Sequence, residues 1–142
     1  MALRWIGGGV TAAPGFSAGG IRAGIKSSRK PDLALVVSDA PAAAAAVFTT
    51  NRVQAAPVGI SKARIRRGST RAVLINSGCA NCLTGPAGTR DALRISRAAA
   101  EALQVAERDI LVASTGLIGT RLPVSKVTRA MPRLPPASRA IR

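Results

Sequence analysis

Residues 71–75 read Arg-Ala-Val-Leu-Ile and residues 109–113 read Asp-Ile-Leu-Val-Ala, two short apolar runs that are typical of buried strands. Between them, residues 89–105 carry the clearest helical periodicity of the chain. Apolar side chains recur there at steps of three and four residues, at Ala92, Ile95, Ala99 and Leu103. Together with the strands expected earlier in the chain, this pattern predicts an α+β fold whose sheet is covered by helices.

The N-terminal half of the chain is predicted to be mostly strand. Leu33–Val37 is an apolar run bounded by a proline and an aspartate, as expected for a buried strand. Glycines alternate with apolar residues over 7–25, which favours short strands and tight turns over a helix. The β-prone residues in the second half of 42–48 predict a further strand, paired with residues 53–60.

Two shorter helical segments and one loop complete the predicted elements. Residues 61–67 are expected to form one or two helical turns that end at Gly68. Residues 123–130 are expected to be helical, because Pro132 stops a helix soon after them. The turn formers of residues 76–82 predict a loop.

The composition excludes several kinds of chemistry. The 142-residue chain has no histidine, so it cannot itself provide a Ser–His or Cys–His pair or a histidine-ligated zinc site. Its two cysteines are too few for a disulfide scaffold or a four-thiolate metal centre. We therefore expect neither a metal nor a tightly bound cofactor.

The hydropathy pattern bears on the location of the protein. No segment approaches the ~18 consecutive apolar residues that a membrane-spanning helix needs. The glycines at 7–9 interrupt the N-terminal stretch in which a signal peptide would have its apolar core. The sequence therefore predicts a cytoplasmic protein without a membrane partner.

The chain is strongly basic, with 21 Lys and Arg against 6 Asp and Glu and a formal net charge of +15. A tight cluster consists of Arg64, Arg66, Arg67 and Arg71, and residues 121–142 add further bases without an acid. Aromatic residues that would stack on nucleobases are not interleaved with these charges, which argues against a nucleic-acid partner. A small basic protein that binds RNA or another polyanion through this cluster and the C-terminal stretch is the alternative function.

Cys79-Ala80-Asn81-Cys82 has the C-x-x-C spacing of thioredoxin-like dithiols, which lie between a strand and a helix. Residues 84–88 separate Cys82 from the expected helix, and the aromatic surroundings usual for such a site are lacking. We therefore favour two packed or partly exposed loop thiols. A redox-active dithiol is the alternative interpretation.

Ser114-Thr115-Gly116 follows the strand expected at residues 109–113. A hydroxyl residue and a glycine at a strand end leave backbone N–H groups unpaired, and the glycine lets a ligand approach the main chain. Thr115 and Gly116 are therefore candidates for an oxyanion hole, in which each donor contributes roughly 3–4 kcal/mol. The alternative is an ordinary turn in which the hydroxyl satisfies its own backbone.

Four segments resemble, in this order, the N-terminal part of the ornithine acetyltransferase family, the bifunctional glutamate N-acetyltransferases of arginine biosynthesis. They are Gly9–Phe16 (GVTAAPGF), Val47–Val58 (VFTTNRVQAAPV), Asn76–Asn81 (NSGCAN) and Ala113–Gly119 (ASTGLIG). The resemblance covers roughly residues 7–127. The FTTNR and STGLIG blocks are specific to the family when they occur together.

The resemblance implies a layered α+β fold of the αββα type, with sheets flanked by helices and only part of it contained in this chain. It implies transfer of an acetyl group from N-acetylornithine to glutamate through an acyl-threonine. In this family the precursor cleaves itself, and the N-terminal threonine of the second chain becomes the nucleophile, with its own amine as the base. The Thr115 hydroxyl and the Gly116 N–H would form the oxyanion hole.

The resemblance also implies a complementary β chain as partner and an α2β2 assembly. Whether acetyl-CoA also serves as an acetyl donor is left open by the sequence. The family's self-cleavage segment does not occur before Arg142, so this chain is expected to hold no nucleophile and to be inactive alone. We divide the chain into an acetyltransferase segment, 1–127, and a basic, proline-rich stretch, 128–142. The second stretch is expected to be truncated, or disordered by itself.

Overall fold

Four strands form one mixed sheet in the computed structural model, which describes residues 7–134. The strands are β1 (Phe16–Ile21), β2 (Leu33–Ala43), β3 (Ser69–Cys79) and β4 (Ile110–Leu117), and they lie side by side in that order. Strand β2 pairs antiparallel with β1 and β3, whereas β3 and β4 pair parallel. Strand β4 is therefore an edge strand of this sheet.

Three α-helices connect and follow the strands. They are α1 (Ala56–Ile65), α2 (Gly85–Leu103) and α3 (Val124–Ala130), with 3-10 turns at Val10–Ala12, Glu107–Asp109 and Met131–Arg133. Helix α2 joins β3 to β4, because two parallel strands need a long crossover between them. The helix ends at Gln104, whose left-handed backbone (φ 54°) lets its N–H bond to the Ala100 carbonyl.

The apolar core combines one face of the sheet with α2 and α3. Alternate residues of β3 are buried, and the parallel register places the buried residues of β4 beside them. The core includes Leu33, Leu35, Ala72, Leu74, Ile95, Ala99, Ile110, Val112 and Val127. The intervening residues of the sheet, among them Val36, Val73 and Ile75, are only partly buried. The α+β prediction is confirmed, and the helical layer lies against the buried face of the sheet.

The predictions for residues 42–60 are wrong. Residues 44–54 form no strand, and the segment expected to pair with them begins helix α1 instead. Pro57 lies in the first turn of that helix, where its fixed φ suits a helix and its missing N–H leaves no hydrogen bond unmade. The apolar Ile60 is buried on the helix, so tertiary packing outweighs the local β propensity of the segment.

Both strands around α2 extend further than predicted. Strand β3 continues through Asn76 to Cys79, into residues predicted as a loop, and β4 continues through Ser114 to Leu117. The two extensions pair with each other, and these ladder hydrogen bonds outweigh the turn propensity of the residues. Helix α2 begins at Gly85, four residues before its predicted start.

The basic C-terminal stretch contributes to the core as far as the structure describes it. Helix α3 runs as predicted and is continuous across residues 127 and 128. Ala130, Met131 and Leu134 are buried, and residues 1–6 and 135–142 lie outside the described residues. Within residues 7–134, none of the helices combines the length and the hydropathy that crossing a bilayer requires.

Candidate active site

The candidate residues Thr115 and Gly116 lie near the end of the edge strand β4. The parallel register pairs Thr115 with Ser77 and Gly116 with Gly78. The triplets Asn76-Ser77-Gly78 and Ser114-Thr115-Gly116 therefore lie side by side, residue for residue. This juxtaposition was not predicted, although both strands end in the same order of polar residue, hydroxyl residue and glycine.

The backbone of β3 leaves room for nothing larger than glycine at position 116. Gly116 has φ 129°, a conformation that residues with a side chain rarely adopt. A Cβ atom there would lie 2.6 Å from the Cys79 nitrogen and 2.7 Å from the Gly78 Cα. The close approach of the two strands thus holds the main chain of Gly116 in one place.

The N–H of Gly116 faces the open edge of β4. On that edge, the Ser61 hydroxyl of α1 accepts a hydrogen bond from the Val112 N–H (3.0 Å) and donates one to the Val112 carbonyl (2.8 Å). Backbone groups alternate along a strand, so the N–H of Gly116, four residues later, points to the same side. Outside the sheet ladder, no carbonyl of residues 7–134 accepts it. It is therefore a candidate donor, and Thr115 precedes it directly in the chain.

Thr115 and Gly116 are both exposed. Ser114 points to the buried face of the sheet, so the neighbouring Thr115 points to the opposite, more open face. Neither Thr115 nor Gly116 lines any of five clefts found among residues 7–134. The two candidate donors are exposed, and a closed pocket around them would require polypeptide from outside these residues.

A buried amide joins the two strand ends beneath the candidate donors. Asn76 is 1% exposed, and its Oδ1 accepts a hydrogen bond from the Ser114 hydroxyl at 2.6 Å. Its Nδ2 donates to the Cys79 carbonyl at 2.9 Å. Because every polar atom of this amide has a partner, it makes the ends of β3 and β4 rigid relative to each other.

Cys79 and Cys82 are both free thiols. Cys79 is the last residue of β3 rather than a loop residue, and it is buried with its Sγ 3.4 Å from the Thr120 carbonyl. The separation between Cys82 and the helix is shorter than predicted, because α2 begins at Gly85 and only Leu83 and Thr84 lie between them. Within the described part of the chain, no cluster of three or more metal-ligating side chains is present.

A buried carboxylate anchors the chain that follows β4. Asp91 on α2 is 2% exposed, and its Oδ2 accepts a hydrogen bond from Arg121 Nε at 2.7 Å and forms an ion pair with Arg121 Nη2 at 2.6 Å. The hydrogen bond and the charge of Asp91 raise the pKa of Arg121. Because Arg121 lies in the segment between β4 and α3, this ion pair holds that segment against α2.

Asp32 organises the loop that packs on the other side of Gly78. Its carboxylate accepts hydrogen bonds from the N–H groups of Ala23 (2.6 Å), Ile25 (2.7 Å) and Lys26 (2.9 Å). Gly78 has φ 107°, and a Cβ there would lie 2.8 Å from Lys26 Cγ. Burial raises the pKa of Asp32, but its backbone hydrogen bonds lower it by more, and the net pKa is below the ordinary 3.8.

Asp32→Asn is expected to lower the free energy of unfolding near neutral pH by about 2–3 kcal/mol, since an amide offers one acceptor oxygen and no charge. The folded pKa of Asp32 lies below its unfolded value of 3.8. The stabilisation is therefore present above pH 3.8 and is lost as the pH falls through the folded pKa. Urea unfolding of wild type and variant over this pH range measures the effect.

The control for this experiment is Asp39→Asn, which alters an exposed carboxylate. It should leave the free energy of unfolding near neutral pH unchanged within about 0.5 kcal/mol. A difference in the free energy of unfolding between wild type and Asp32→Asn that is the same at every pH would contradict the assigned role of the Asp32 charge.

The arginine cluster at 64–71 is largely engaged within the fold. Arg64 is mostly buried and pairs with Glu107 at 2.8 Å, while Arg67 pairs with Asp109 at 3.5 Å. Arg71 donates to the carbonyl groups of Ser38 and Asp39 in the middle of β2. Guanidinium groups that bind acceptors of their own chain do not form a free surface for a polyanion.

The fold has counterparts among crystal structures. The arginine biosynthesis bifunctional protein ArgJ of Bacillus halodurans matches with a TM-score of 0.88 and 41% identity, over 92% of this chain and 68% of that one. The ornithine acetyltransferase of Mycobacterium tuberculosis, solved in complex with ornithine, matches with a TM-score of 0.86 and 46% identity, over 89% of this chain and 68% of that one. The class defined by this fold and site is therefore an α+β protein of the ornithine acetyltransferase type.

Sequence comparison leads to the same family. The ArgJ family model matches residues 17–141. The arginine biosynthesis bifunctional protein ArgJ of Gloeobacter violaceus is 51% identical over 129 residues, which is 90% of this chain. The chain belongs to the ArgJ family, as the resemblance of its motifs predicted. It spans 32% of the length of that relative and 30% of the ArgJ protein of Dehalococcoides mccartyi.

Proposed function

We propose that this chain is the N-terminal, oxyanion-binding part of a glutamate N-acetyltransferase of arginine biosynthesis. The reaction moves an acetyl group from N-acetylornithine to glutamate. The observation that carries the proposal is the placement of Thr115 and Gly116, a hydroxyl and a free N–H on the exposed end of an edge strand. Membership of the ArgJ family supports the choice of reaction.

Acyl transfer needs a nucleophile, a base, and donors for the negative charge that develops on the carbonyl oxygen. Thr115 and Gly116 supply the donors. We assign the nucleophile to the N-terminal threonine of a complementary β chain, released by self-cleavage of a precursor, with its terminal amine as the base. This division agrees with a chain that has no histidine to serve as a base.

The transfer then has two steps. The threonine oxygen attacks the acetyl carbonyl of N-acetylornithine, and its proton passes through the terminal amine to the departing amine of ornithine. The amine of glutamate next attacks the acyl-threonine, which returns the threonine hydroxyl and yields N-acetylglutamate. Both tetrahedral intermediates place a negative oxygen between the Thr115 hydroxyl and the Gly116 N–H.

The surface around the site supports a complementary chain as partner. Leu117 and Ile118 follow the candidate donors directly and are 67% and 62% exposed. Thr115 lies on the more open face of the sheet, opposite the face that the helices of residues 7–134 bury. A β chain seated there would bury these apolar residues and close the pocket, and the family resemblance gives the assembly as α2β2.

The proposal is tested by separating the two polypeptides. The purified 142-residue chain is expected to show no acetyl exchange between N-acetylornithine and labelled glutamate. Co-expression with the rest of an ArgJ protein, beginning where this chain's matched region ends, should produce exchange in the co-purified complex. The second polypeptide alone is the control and should be inactive. Exchange by the 142-residue chain alone, or an inactive complex that has undergone self-cleavage, would contradict the proposal.

A further inference from the structure

A basic cleft lies apart from the strand-end site, between the loop after β1 and helix α3. It has a volume of about 240 Å³ and is lined by four cationic side chains with two alanines between them: Arg22, Lys126, Arg129 and Arg133, with Ala23 and Ala130. Arg22 and the other three bases are about a hundred residues apart in sequence. Helix α3 and the turn after it hold three of these bases close together, and tertiary structure brings Arg22 to them.

The backbone on both sides of the basic cleft is anchored without a ligand. On one side, Asp32 binds the N–H groups of Ala23, Ile25 and Lys26, which fixes the loop that carries Arg22. On the other side, Lys126 Nζ donates to the Gly24 carbonyl at 2.7 Å and ties α3 to the same loop. A site whose walls are already ordered loses less entropy when it binds.

The positive charge of the basic cleft is not neutralised by the described part of the chain. None of its four bases forms an ion pair within residues 7–134. The chain has six acids: Asp91, Glu107 and Asp109 pair with arginines elsewhere, Asp32 binds backbone N–H groups, and Asp39 and Glu101 do not line the cleft. Four like charges around one cavity repel each other, and an anion with two or more charges would offset that repulsion.

We propose that the basic cleft binds a small phosphate-bearing ligand. Three of its four bases are arginines, whose planar guanidinium groups match the oxygens of phosphate in pairs. The cavity is of a size for a phosphate or pyrophosphate group. Its apolar lining consists of two alanines. The cleft therefore has no apolar pocket that could hold a large side chain of an acidic polypeptide. The proposal does not depend on the acetyltransferase activity.

The test is a titration of the 142-residue chain with inorganic pyrophosphate at constant ionic strength, followed by calorimetry and by amide NMR shifts. We expect saturable binding with the largest shifts at Ala23, Gly24 and Ala130. The double variant Arg129→Ala/Arg133→Ala should bind at least about tenfold more weakly. The double variant Arg129→Lys/Arg133→Lys should retain part of the affinity, because it keeps the charge and loses the paired hydrogen bonds.

The matched control is Arg66→Ala/Arg108→Ala, which removes the same charge from two exposed arginines elsewhere. It should change the affinity by less than about twofold, since screened charges at a distance contribute little. An equal loss in this control would show that pyrophosphate responds only to net charge, and would overturn the proposal. Absence of saturable binding, or tighter binding of a glutamate-rich peptide than of pyrophosphate, would overturn it as well. Thermal unfolding of each variant checks that it is folded.

Discussion

Thr115→Ala is expected to lower kcat of the assembled acetyltransferase by about 10²-fold or more, with a much smaller change in KM. In the proposed mechanism the hydroxyl donates to an oxygen that becomes negative only as the tetrahedral intermediate forms. A donor of that kind stabilises the transition state more than the bound substrate, so removing it lowers kcat. Steady-state kinetics of acetyl transfer from N-acetylornithine to glutamate, on the co-purified complex, measures both constants.

Two variants separate donation by the hydroxyl from a structural effect. Thr115→Ser keeps the O–H group and should retain kcat within about tenfold of wild type. Ser77→Ala removes the hydroxyl of the paired residue on β3 and should leave kcat nearly unchanged. Equal kcat values for Thr115→Ala and wild type would rule out the oxyanion assignment, and a change confined to KM would make Thr115 a substrate-binding residue instead.

Gly116→Ala should be the most destabilising substitution at the site, with a loss of about 3–5 kcal/mol in the free energy of unfolding. Two effects combine. A side chain at φ 129° strains the backbone, and its Cβ would meet the Cys79 nitrogen at 2.6 Å and the Gly78 Cα at 2.7 Å. These atoms belong to a paired strand, so relief requires β3 and β4 to separate. Urea unfolding of the 142-residue chain followed by circular dichroism gives the value.

The control is Gly119→Ala, three residues further along the same segment. Gly119 also has a positive φ, 80°, but no atom lies within 4 Å of the position that its Cβ would take. The variant should therefore lose only the conformational cost, about 1–2 kcal/mol. If the two substitutions destabilise the chain equally, the close approach of β3 is not the reason that glycine occurs at position 116.

Local patterns predicted the main elements of the fold. The apolar runs at 33–37, 71–75 and 109–113 are strands, and the periodic segment at 89–105 is most of helix α2. Continuous apolar runs indicated the strands, and apolar residues at steps of three and four indicated the helix. The segment at 42–60 shows the limit of this reasoning. Its local propensity favours strands, but the packing of α1 against the sheet decides its structure.

The site residues were predicted by type, and their surroundings were not. A hydroxyl and a glycine after a strand made Thr115 and Gly116 candidates, and the resemblance to the ornithine acetyltransferase family gave them the oxyanion role, which stays a prediction. The roles of Asn76, Asp32 and Asp91 depend on partners far away in the sequence, at Ser114, in the loop after β1 and at Arg121. A buried polar residue gives no local sign of which distant group will satisfy it.

By itself the sequence determined the α+β class, the family, and which two residues are the candidate donors, because these follow from local periodicity and short motifs. Tertiary structure alone decided that β3 and β4 extend as parallel partners and hold Gly116 against Gly78. It also decided that Arg22 shares a cleft with the bases of α3 and the turn after it. The physical reason is the same for both: strand register and helix docking are set by contacts between segments that the chain brings together only when it folds.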